Sequence, residues 1–203
     1  MVDLTVLAAD GNARFALQGA FRRPAALAVR PFTFEIFVHP QHDGGARATG
    51  VDILRLRHRH ARHALLVFDH EGCGDHSAVD DIEARIDAKL SLVWDSRAKA
   101  IIPAPEVDIL VWGSDQKLAE ILRWQESPSI REWLSQRGFR FTAAGKPERP
   151  KEAFAAMLYH MKIPRSSALY EKITSQVSLF KCTDPAFLKL RNQLRIWFPP
   201  KSK

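Results

Sequence analysis

The sequence predicts an α/β protein with a mostly parallel, Rossmann-like sheet flanked by helices. Strand-like segments alternate with helical patterns up to about residue 112, which is typical of a parallel sheet. Residues 64–68 form an unbroken apolar run, as expected of a central strand covered on both faces. Helical spacing dominates after residue 145. We therefore predict an α/β core over residues 1–145 and a basic helical C-terminal portion, residues 146–203, that packs on it.

Composition limits the classes of protein that the chain can represent. Its 203 residues are enough to bury a substantial core, and it contains only two cysteines. No apolar run approaches the roughly 20 residues that cross a bilayer, and the first residues lack the pattern of a signal peptide. We expect a cytoplasmic protein without a membrane span.

Positive charge is concentrated in the last third of the chain. The net charge is +7, but residues 139–203 carry 13 Lys or Arg against 4 Asp or Glu, which leaves a net charge of −2 for the rest. This asymmetry predicts a polyanionic partner, most simply nucleic acid, although a solvated basic face is about as common an outcome. The candidate nucleic-acid-binding residues are Arg149, Lys151, Arg165 and Lys172.

The first half of the chain is expected to alternate strand and helix. A strand over residues 4–9 leads through Asp10, at a turn and helix cap, into a helix over residues 13–21. The next elements are expected in the order strand 32–38, loop 41–49 and a weakly favoured helix within 51–63.

The central strand ends in two carboxylates and a glycine-rich turn. Asp69 and Glu71 follow the apolar run, and Gly72 and Gly74 allow the chain to turn sharply. In open α/β sheets, ligands bind outside the carboxyl ends of the strands. We therefore expect the chemistry of the protein at this turn.

The remaining elements are mostly helical. Ser77 is expected to cap a helix that continues to Leu90, a strand follows at residues 98–103, and residues 106–112 fit either a strand or a buried helix. Later helices are predicted over 115–123, between Ser127-Pro128 and Gly138, and over 150–161, 166–177 and 184–197.

Acidic residues follow three of the predicted strands. Asp10 follows the first strand, Asp69 and Glu71 follow the central one, and Glu106 follows the next. If these strands are parallel neighbours, the carboxylates converge on one edge, where they need a cation to neutralise them. Mg²⁺ or Mn²⁺ suits oxygen ligands and phosphate chemistry. The competing interpretation, that acids at strand ends only cap helices, applies best to Asp10.

Other residue types suggest weaker alternatives. A zinc site could be drawn from His70, Cys73 and His76, but the sequence lacks paired metal-binding motifs. Cys73 is a candidate nucleophile for which the sequence supplies no base. A small-nucleotide-binding or phosphatase-like protein is a further hypothesis, and the absence of a P-loop motif argues against an NTPase.

Several motifs resemble the TOPRIM-like proteins, the metal-binding fold of topoisomerases, primases and overcoming-lysogenization-defect (OLD) nucleases. The matching features are the acid Asp10 after the first strand, the segment Leu65-Leu66-Val67-Phe68-Asp69-His70-Glu71, and the segment Pro105-Glu106-Val107-Asp108-Ile109-Leu110-Val111-Trp112. Two C-terminal segments resemble the small bacterial, defence-associated members: Arg149-Pro150-Lys151-Glu152-Ala153 and Cys182-Thr183-Asp184-Pro185-Ala186-Phe187-Leu188-Lys189-Leu190.

The resemblance implies a TOPRIM-like fold and a divalent metal held by the paired acids. In the family the first acid is typically Glu and the pair is Asp-x-Asp, whereas this chain has Asp10 and an Asp-x-Glu pair. By this resemblance Asp69, Glu71 and Glu106 would bind Mg²⁺ or Mn²⁺. The catalytic residues would be Asp10, Asp69 and Glu71.

The activity expected from this resemblance is metal-dependent cleavage of phosphodiester bonds in DNA or RNA, within a bacterial anti-phage system that includes protein partners. Lys151 and the basic tail would hold the phosphate backbone. The alternative is a non-catalytic TOPRIM-like subunit that binds nucleic acid or a partner protein in a larger defence complex.

Overall fold

A computed structural model describes residues 1–125, 127–179 and 182–200. In this part of the chain, four parallel strands form one sheet in the order β2-β1-β3-β4. The strands are β1 (Val2–Ala8), β2 (Phe34–Val38), β3 (Ala61–Val67) and β4 (Ala98–Ile101). Helices flank the sheet, which confirms the predicted α/β fold class.

Helices lie between the strands, and helices joined by loops follow β4 in the described residues. The first four are α1 (Gly11–Phe21), α2 (Pro24–Leu27), α3 (His42–Arg55) and α4 (Val79–Trp94). The later ones are α5 (Asp115–Leu122), α6 (Ile130–Ser135), α7 (Pro150–His160), α8 (Ser167–Thr174) and α9 (Pro185–Trp197). Short 3₁₀ segments occupy Asp95–Arg97 and Val107–Gly113, and the second resolves the ambiguous stretch 106–112. Within the described residues, each helix is too short or too polar to cross a bilayer.

The central strand is buried on both faces, as its unbroken apolar run predicts. Residues 64–68 are each at most 1% exposed. Because successive side chains of a strand point to opposite faces, Leu65 and Val67 contribute to one hydrophobic cluster and Leu66 and Phe68 to another. The sheet therefore separates two apolar layers.

The strand order creates a switch point between β1 and β3. From β1 the chain moves outward to β2, and it then returns to the other side of β1 to form β3. Ala8 pairs with Val67 at the carboxyl ends of these strands, and the Ala9 N–H donates to the Val67 carbonyl at 2.9 Å. Ligands of open parallel sheets bind outside the carboxyl edge at such a point.

The C-terminal helices share one of the two apolar layers with the sheet. Phe154, Tyr170 and Phe187 are buried in the same cluster as Leu17 and Val67. Helix α8 packs against α1. Residues 146–200 thus lie against the sheet through common core contacts, while 180, 181 and 201–203 of the predicted C-terminal portion lie outside the described residues.

The loop predicted at residues 41–49 is wrong, because α3 begins at His42. Gly44 and Gly45 suggested a loop, but they lie within the helix. A Cβ atom on Gly45 would come within 2.5 Å of the His39 ring, and one on Gly50 within 2.7 Å of Leu66. At these two positions glycine permits close packing of α3, a use that local sequence does not distinguish from a loop. The helix weakly predicted within 51–63 ends at Arg55.

Two predicted helix caps are displaced in the structure. Ser77 lies one residue before the N-cap of α4, which is Ala78. Helix α6 is capped by Ser129 in a capping box, and the preceding Ser127-Pro128 pair lies outside the helix. Several hydroxyl groups near a helix start can satisfy its free N–H groups, so the sequence alone does not determine which one does.

Candidate active site

Each of the four strands is followed by a carboxylate at the carboxyl edge of the sheet. Asp10 follows β1, Asp43 lies in the first turn of α3 after β2, Asp69 follows β3, and Glu106 follows β4. We call these four residues the acidic cluster. Besides burial, the carboxylates of the other three members raise the pKa of Asp69, and Asp10 also raises that of Asp43, so the four side chains lie close together.

Asp69 is the most strongly perturbed member of the acidic cluster. Its Oδ1 accepts a hydrogen bond from the Val107 N–H at 2.8 Å, and its own N–H donates to Asp43 Oδ1 at 2.8 Å. Burial raises the pKa of Asp69 well above its usual range, and the carboxylates of Asp43, Asp10 and Glu106 raise it further. Its Oδ2 makes no hydrogen bond within the described residues. The ionised form of Asp69 is therefore disfavoured, and a nearby cation would stabilise it.

Asp43 is a member of the acidic cluster that the sequence analysis missed. Burial raises its pKa, the hydrogen bond from the Asp69 N–H lowers it, and the Asp10 carboxylate raises it. The signal that could have identified Asp43 is an acid in the first turn of a helix after a strand. The prediction of a loop over residues 41–49 conceals this helix start and therefore Asp43.

Asp10 combines the two roles that the sequence left open. Its Oδ1 accepts a hydrogen bond from the Ala13 N–H at 2.7 Å, which caps α1 as predicted. Its Oδ2 makes no hydrogen bond within the described part of the chain. Because Asp10 also raises the pKa values of Asp43 and Asp69, capping does not remove it from the acidic cluster.

Glu106 forms an ion pair with Lys151, with 2.6 Å between Oε1 and Nζ. The Glu106 side chain is 6% exposed, whereas that of Lys151 is 46% exposed. Burial raises the pKa of Glu106, and the hydrogen bond to Glu106 raises the pKa of Lys151. The Lys151 ammonium also lies in the electrostatic field of Asp43 and Asp69. It is therefore a cation held at the acidic cluster by α7.

Glu71 lies at the exposed rim of the site. Its N–H donates to the Pro105 carbonyl at 3.1 Å, which places it beside Glu106, and its carboxylate contributes to the raised pKa of Glu106. The turn that follows has φ values of 93° at Gly72 and 73° at Gly74, a region that glycine adopts without steric cost. The predicted glycine turn is thus confirmed.

A buried hydrogen-bonded group supports the acidic cluster from the C-terminal side. Asp108 Oδ1 accepts from the Tyr170 hydroxyl at 2.6 Å and from Arg165 Nη2 at 3.2 Å. Burial raises the pKa values of both Asp108 and Tyr170. Arg165, a predicted nucleic-acid ligand, is therefore committed to an internal contact that ties α8 to the segment after β4.

The other two predicted basic ligands lie on the surface. Arg149 pairs with Glu152 at 2.8 Å, and both side chains are largely exposed. Lys172 is exposed in the last turn of α8. Within the described residues, neither makes a contact with the acidic cluster.

The described side chains contain no group of three His, Cys, Asp or Glu residues already arranged to hold a metal ion. This holds for the acidic residues and for the alternative trio of His70, Cys73 and His76. Cys73 is fully buried and its thiol donates to the Asp75 carbonyl at 3.5 Å, while His70 Nε2 lies 3.0 Å from the Ser77 carbonyl oxygen. The zinc hypothesis thus gains no support from this arrangement.

Comparisons with protein-family models, curated protein sequences and solved structures found no match. A function for this chain must therefore be inferred from the chemistry of the site. The acidic cluster, the lysine held against it and the exposed Glu71 are the features that bear on it.

Proposed function

We propose that the protein is a TOPRIM-like, metal-dependent phosphodiesterase that cleaves DNA or RNA. The observation that supports this proposal is the acidic cluster at the switch point of the sheet, to which every strand exit contributes a carboxylate. Burial raises the pKa values of Asp43, Asp69 and Glu106, so the ionised forms of these carboxylates are poorly stabilised by the protein alone. A divalent cation would stabilise the ionised cluster.

The residues present fit Mg²⁺ or Mn²⁺ in donor type and charge. Carboxylate oxygens are the ligands that these hard cations prefer. The Oδ2 atoms of Asp10 and Asp69 make no hydrogen bond within the described residues, and Glu71 is exposed at the rim. Since no three-ligand group is already arranged there, binding would require these side chains to turn toward a common point.

Each residue of the site has a role in this proposal. A bound divalent cation would polarise a phosphodiester oxygen and favour ionisation of an attacking water. Asp69 and Glu71 would hold the cation and Glu106 would support them. Asp10 would accept the proton of the attacking water or act as a further ligand. The half-exposed Lys151 would contact a phosphate oxygen of the substrate.

The proposal is tested by incubating labelled DNA and RNA with the protein and Mg²⁺ or Mn²⁺. The Asp69→Ala/Glu71→Ala variant is expected to lose metal-dependent cleavage while its circular dichroism spectrum is unchanged. A matched control removes two exposed acids outside the site, Asp52→Ala/Asp81→Ala, and should keep the wild-type rate. Cleavage at the wild-type rate by the first variant would reject this assignment.

A non-catalytic TOPRIM-like subunit that binds nucleic acid or a partner protein is the second candidate. The ion pair between Glu106 and Lys151 favours it, because the pair neutralises Glu106 without a metal. This candidate predicts salt-sensitive retention of nucleic acid without products in the same incubations.

A cytoplasmic location rests on the cysteine usage, with Cys73 and Cys182 both buried and unpaired. A role with protein partners in anti-phage defence rests on the family resemblance alone.

A further inference from the structure

A second charged surface lies at the opposite edge of the sheet, where the strands begin. Residues 55–63, with the sequence Arg-Leu-Arg-His-Arg-His-Ala-Arg-His, carry four Arg and three His and no acid. They run from Arg55, the last residue of α3, through a turn into the first three residues of β3. Arg97, just before β4, joins them because its Nη1 donates to the Arg62 carbonyl at 3.3 Å. We call residues 55–63 together with Arg97 the distal basic surface.

The distal basic surface is well separated from the acidic cluster. His63 of the distal basic surface precedes Asp69 of the acidic cluster by six residues along β3 and its exit, and a strand rises about 3.3 Å per residue, so the separation is about 20 Å. A ligand on one surface therefore does not contact the other unless it is a long polymer.

The distal basic surface includes a concave site. An open cavity of about 450 Å³ is lined by Met1, His58, Arg59, Ala61, Arg62, His63 and Arg97, and no carboxylate contributes to its lining. The cavity offers guanidinium and imidazole donors from two chain segments. An anionic group that entered it would lie near the guanidinium groups of Arg59, Arg62 and Arg97.

Nearby carboxylates neutralise only part of this charge. Among the residues that the structure describes, two ion pairs at this surface join Glu35 to Arg57 at 2.7 Å and Asp3 to Arg62 at 3.9 Å. Arg55 and Arg59 are exposed and form no ion pair within the described part of the chain. Like charges this close in sequence repel one another, so an external polyanion would be bound favourably.

We propose that the distal basic surface binds the phosphate backbone of nucleic acid. Its permanently charged residues are all Arg, whose planar guanidinium group donates two parallel hydrogen bonds to phosphate oxygens. Arg55 and Arg59 are both exposed, so their guanidinium groups are accessible to phosphates along a nucleic-acid backbone. This binding does not depend on the cleavage proposed above, since it uses no residue of the acidic cluster and no metal.

The experiment measures fluorescence anisotropy of short labelled DNA and RNA duplexes in EDTA, over a series of salt concentrations. Arg55→Glu/Arg59→Glu is expected to weaken binding about tenfold and to reduce the slope of log affinity against log salt by about 2, since each lost phosphate contact removes about 0.9. Arg55→Lys/Arg59→Lys keeps the charge and should stay within about threefold of the wild type. The separate DNA and RNA arms show which backbone the surface prefers.

A matched control makes the same change of charge on α5 and its C-cap with Lys117→Glu/Arg123→Glu, and it should bind like the wild type. The proposal is overturned if Arg55→Glu/Arg59→Glu leaves affinity and salt slope unchanged, or if the control loses as much affinity. Tighter binding of a labelled acidic peptide than of either duplex would also overturn it. Cleavage by the Asp69→Ala/Glu71→Ala variant bears only on the acidic cluster, so failure of one proposal is distinguishable from failure of the other.

Discussion

At the residue scale, burial raises the pKa values of Asp43, Asp69 and Glu106, and neighbouring carboxylates raise them further. Asp69 shows this most strongly, with Asp43, Asp10 and Glu106 around it. A carboxyl group whose pKa is raised on folding destabilises the protein once the pH rises above its usual value. A bound cation would reverse this cost, so stability measurements report on the site without any substrate.

Asp69→Asn is expected to stabilise the metal-free protein at pH 7 by about 1 kcal/mol or more. The amide oxygen can still accept the hydrogen bond from the Val107 N–H, while the unfavourable charge is removed. The stability lost by the wild type begins near pH 4, the usual value for Asp, and grows as the pH rises through the raised pKa. The difference between the two proteins should therefore shrink as the pH falls toward 4. Urea unfolding at a series of pH values measures it, and a constant difference or a destabilised variant would contradict the expectation.

Lys151→Ala is expected to lower the free energy of unfolding by about 1–2 kcal/mol at pH 7, because it leaves the buried Glu106 carboxylate without its partner. The partial exposure of Lys151 keeps the figure in this range. Adding Glu106→Gln should recover part of the loss, since the unpaired charge is then gone. A double-mutant cycle by urea unfolding tests this, and strictly additive effects would show that the two side chains are not coupled.

At the element scale, short contacts between helices and their neighbours determine where glycine is required. Helix α1 packs against α8 at Gly19, where a Cβ atom would come within 2.6 Å of the Glu171 carbonyl oxygen. Gly44, within α3, has only the Gly72 carbonyl oxygen near its Cβ position, at 3.9 Å. Both glycines are helical, so the difference between them lies in packing alone.

Gly19→Ala is expected to destabilise the protein by about 1–3 kcal/mol, because the backbone of α8 must move away from α1. Gly44→Ala is its matched control and should be neutral or stabilising by up to about 1 kcal/mol, since alanine favours the helix and meets no close atom. Thermal unfolding followed by circular dichroism compares the two. Equal effects of the two substitutions would show that the close approach of α8 to α1 is not rigid.

The sequence predicted those elements whose signals are local. The apolar run of β3 and the cap at Asp10 are both visible in a few consecutive residues. The sequence does not predict the start of α3, because two of its glycines are explained by packing against His39 and Leu66. These contacts exist only in the folded chain. Asp43 is not predicted for the same reason, since it lies in the first turn of α3. The sequence likewise does not show that Lys151 pairs with Glu106, because the two residues are 45 positions apart.

At the scale of the whole molecule, the C-terminal helices complete the apolar layer on one face of the sheet. Leu17 and Val67 share that layer with Phe154, Tyr170 and Phe187. Without residues 146–200 this face would expose a large apolar surface to water. Lys151 lies on α7 and Arg165 lies just before α8, so the site depends on this packing.

A fragment of residues 1–145 is therefore expected not to fold cooperatively, and the full chain is expected to unfold in a single transition. Circular dichroism and tryptophan fluorescence should report coincident urea midpoints for the full chain, because Trp94 and Trp133 lie in the two different apolar layers. Two separate transitions, or a fragment with a cooperative transition of its own, would show that the α/β core is stable alone.

The central claim is that the acidic cluster binds a divalent cation through Asp69. Electron paramagnetic resonance of Mn²⁺ titrated into the protein counts bound ions directly and needs no substrate. We predict one bound ion in the wild type, none in Asp69→Asn, and one in the control Asp81→Asn, whose carboxylate lies outside the cluster. Mn²⁺ bound equally by the wild type and Asp69→Asn, or not bound by the wild type at all, would contradict the claim.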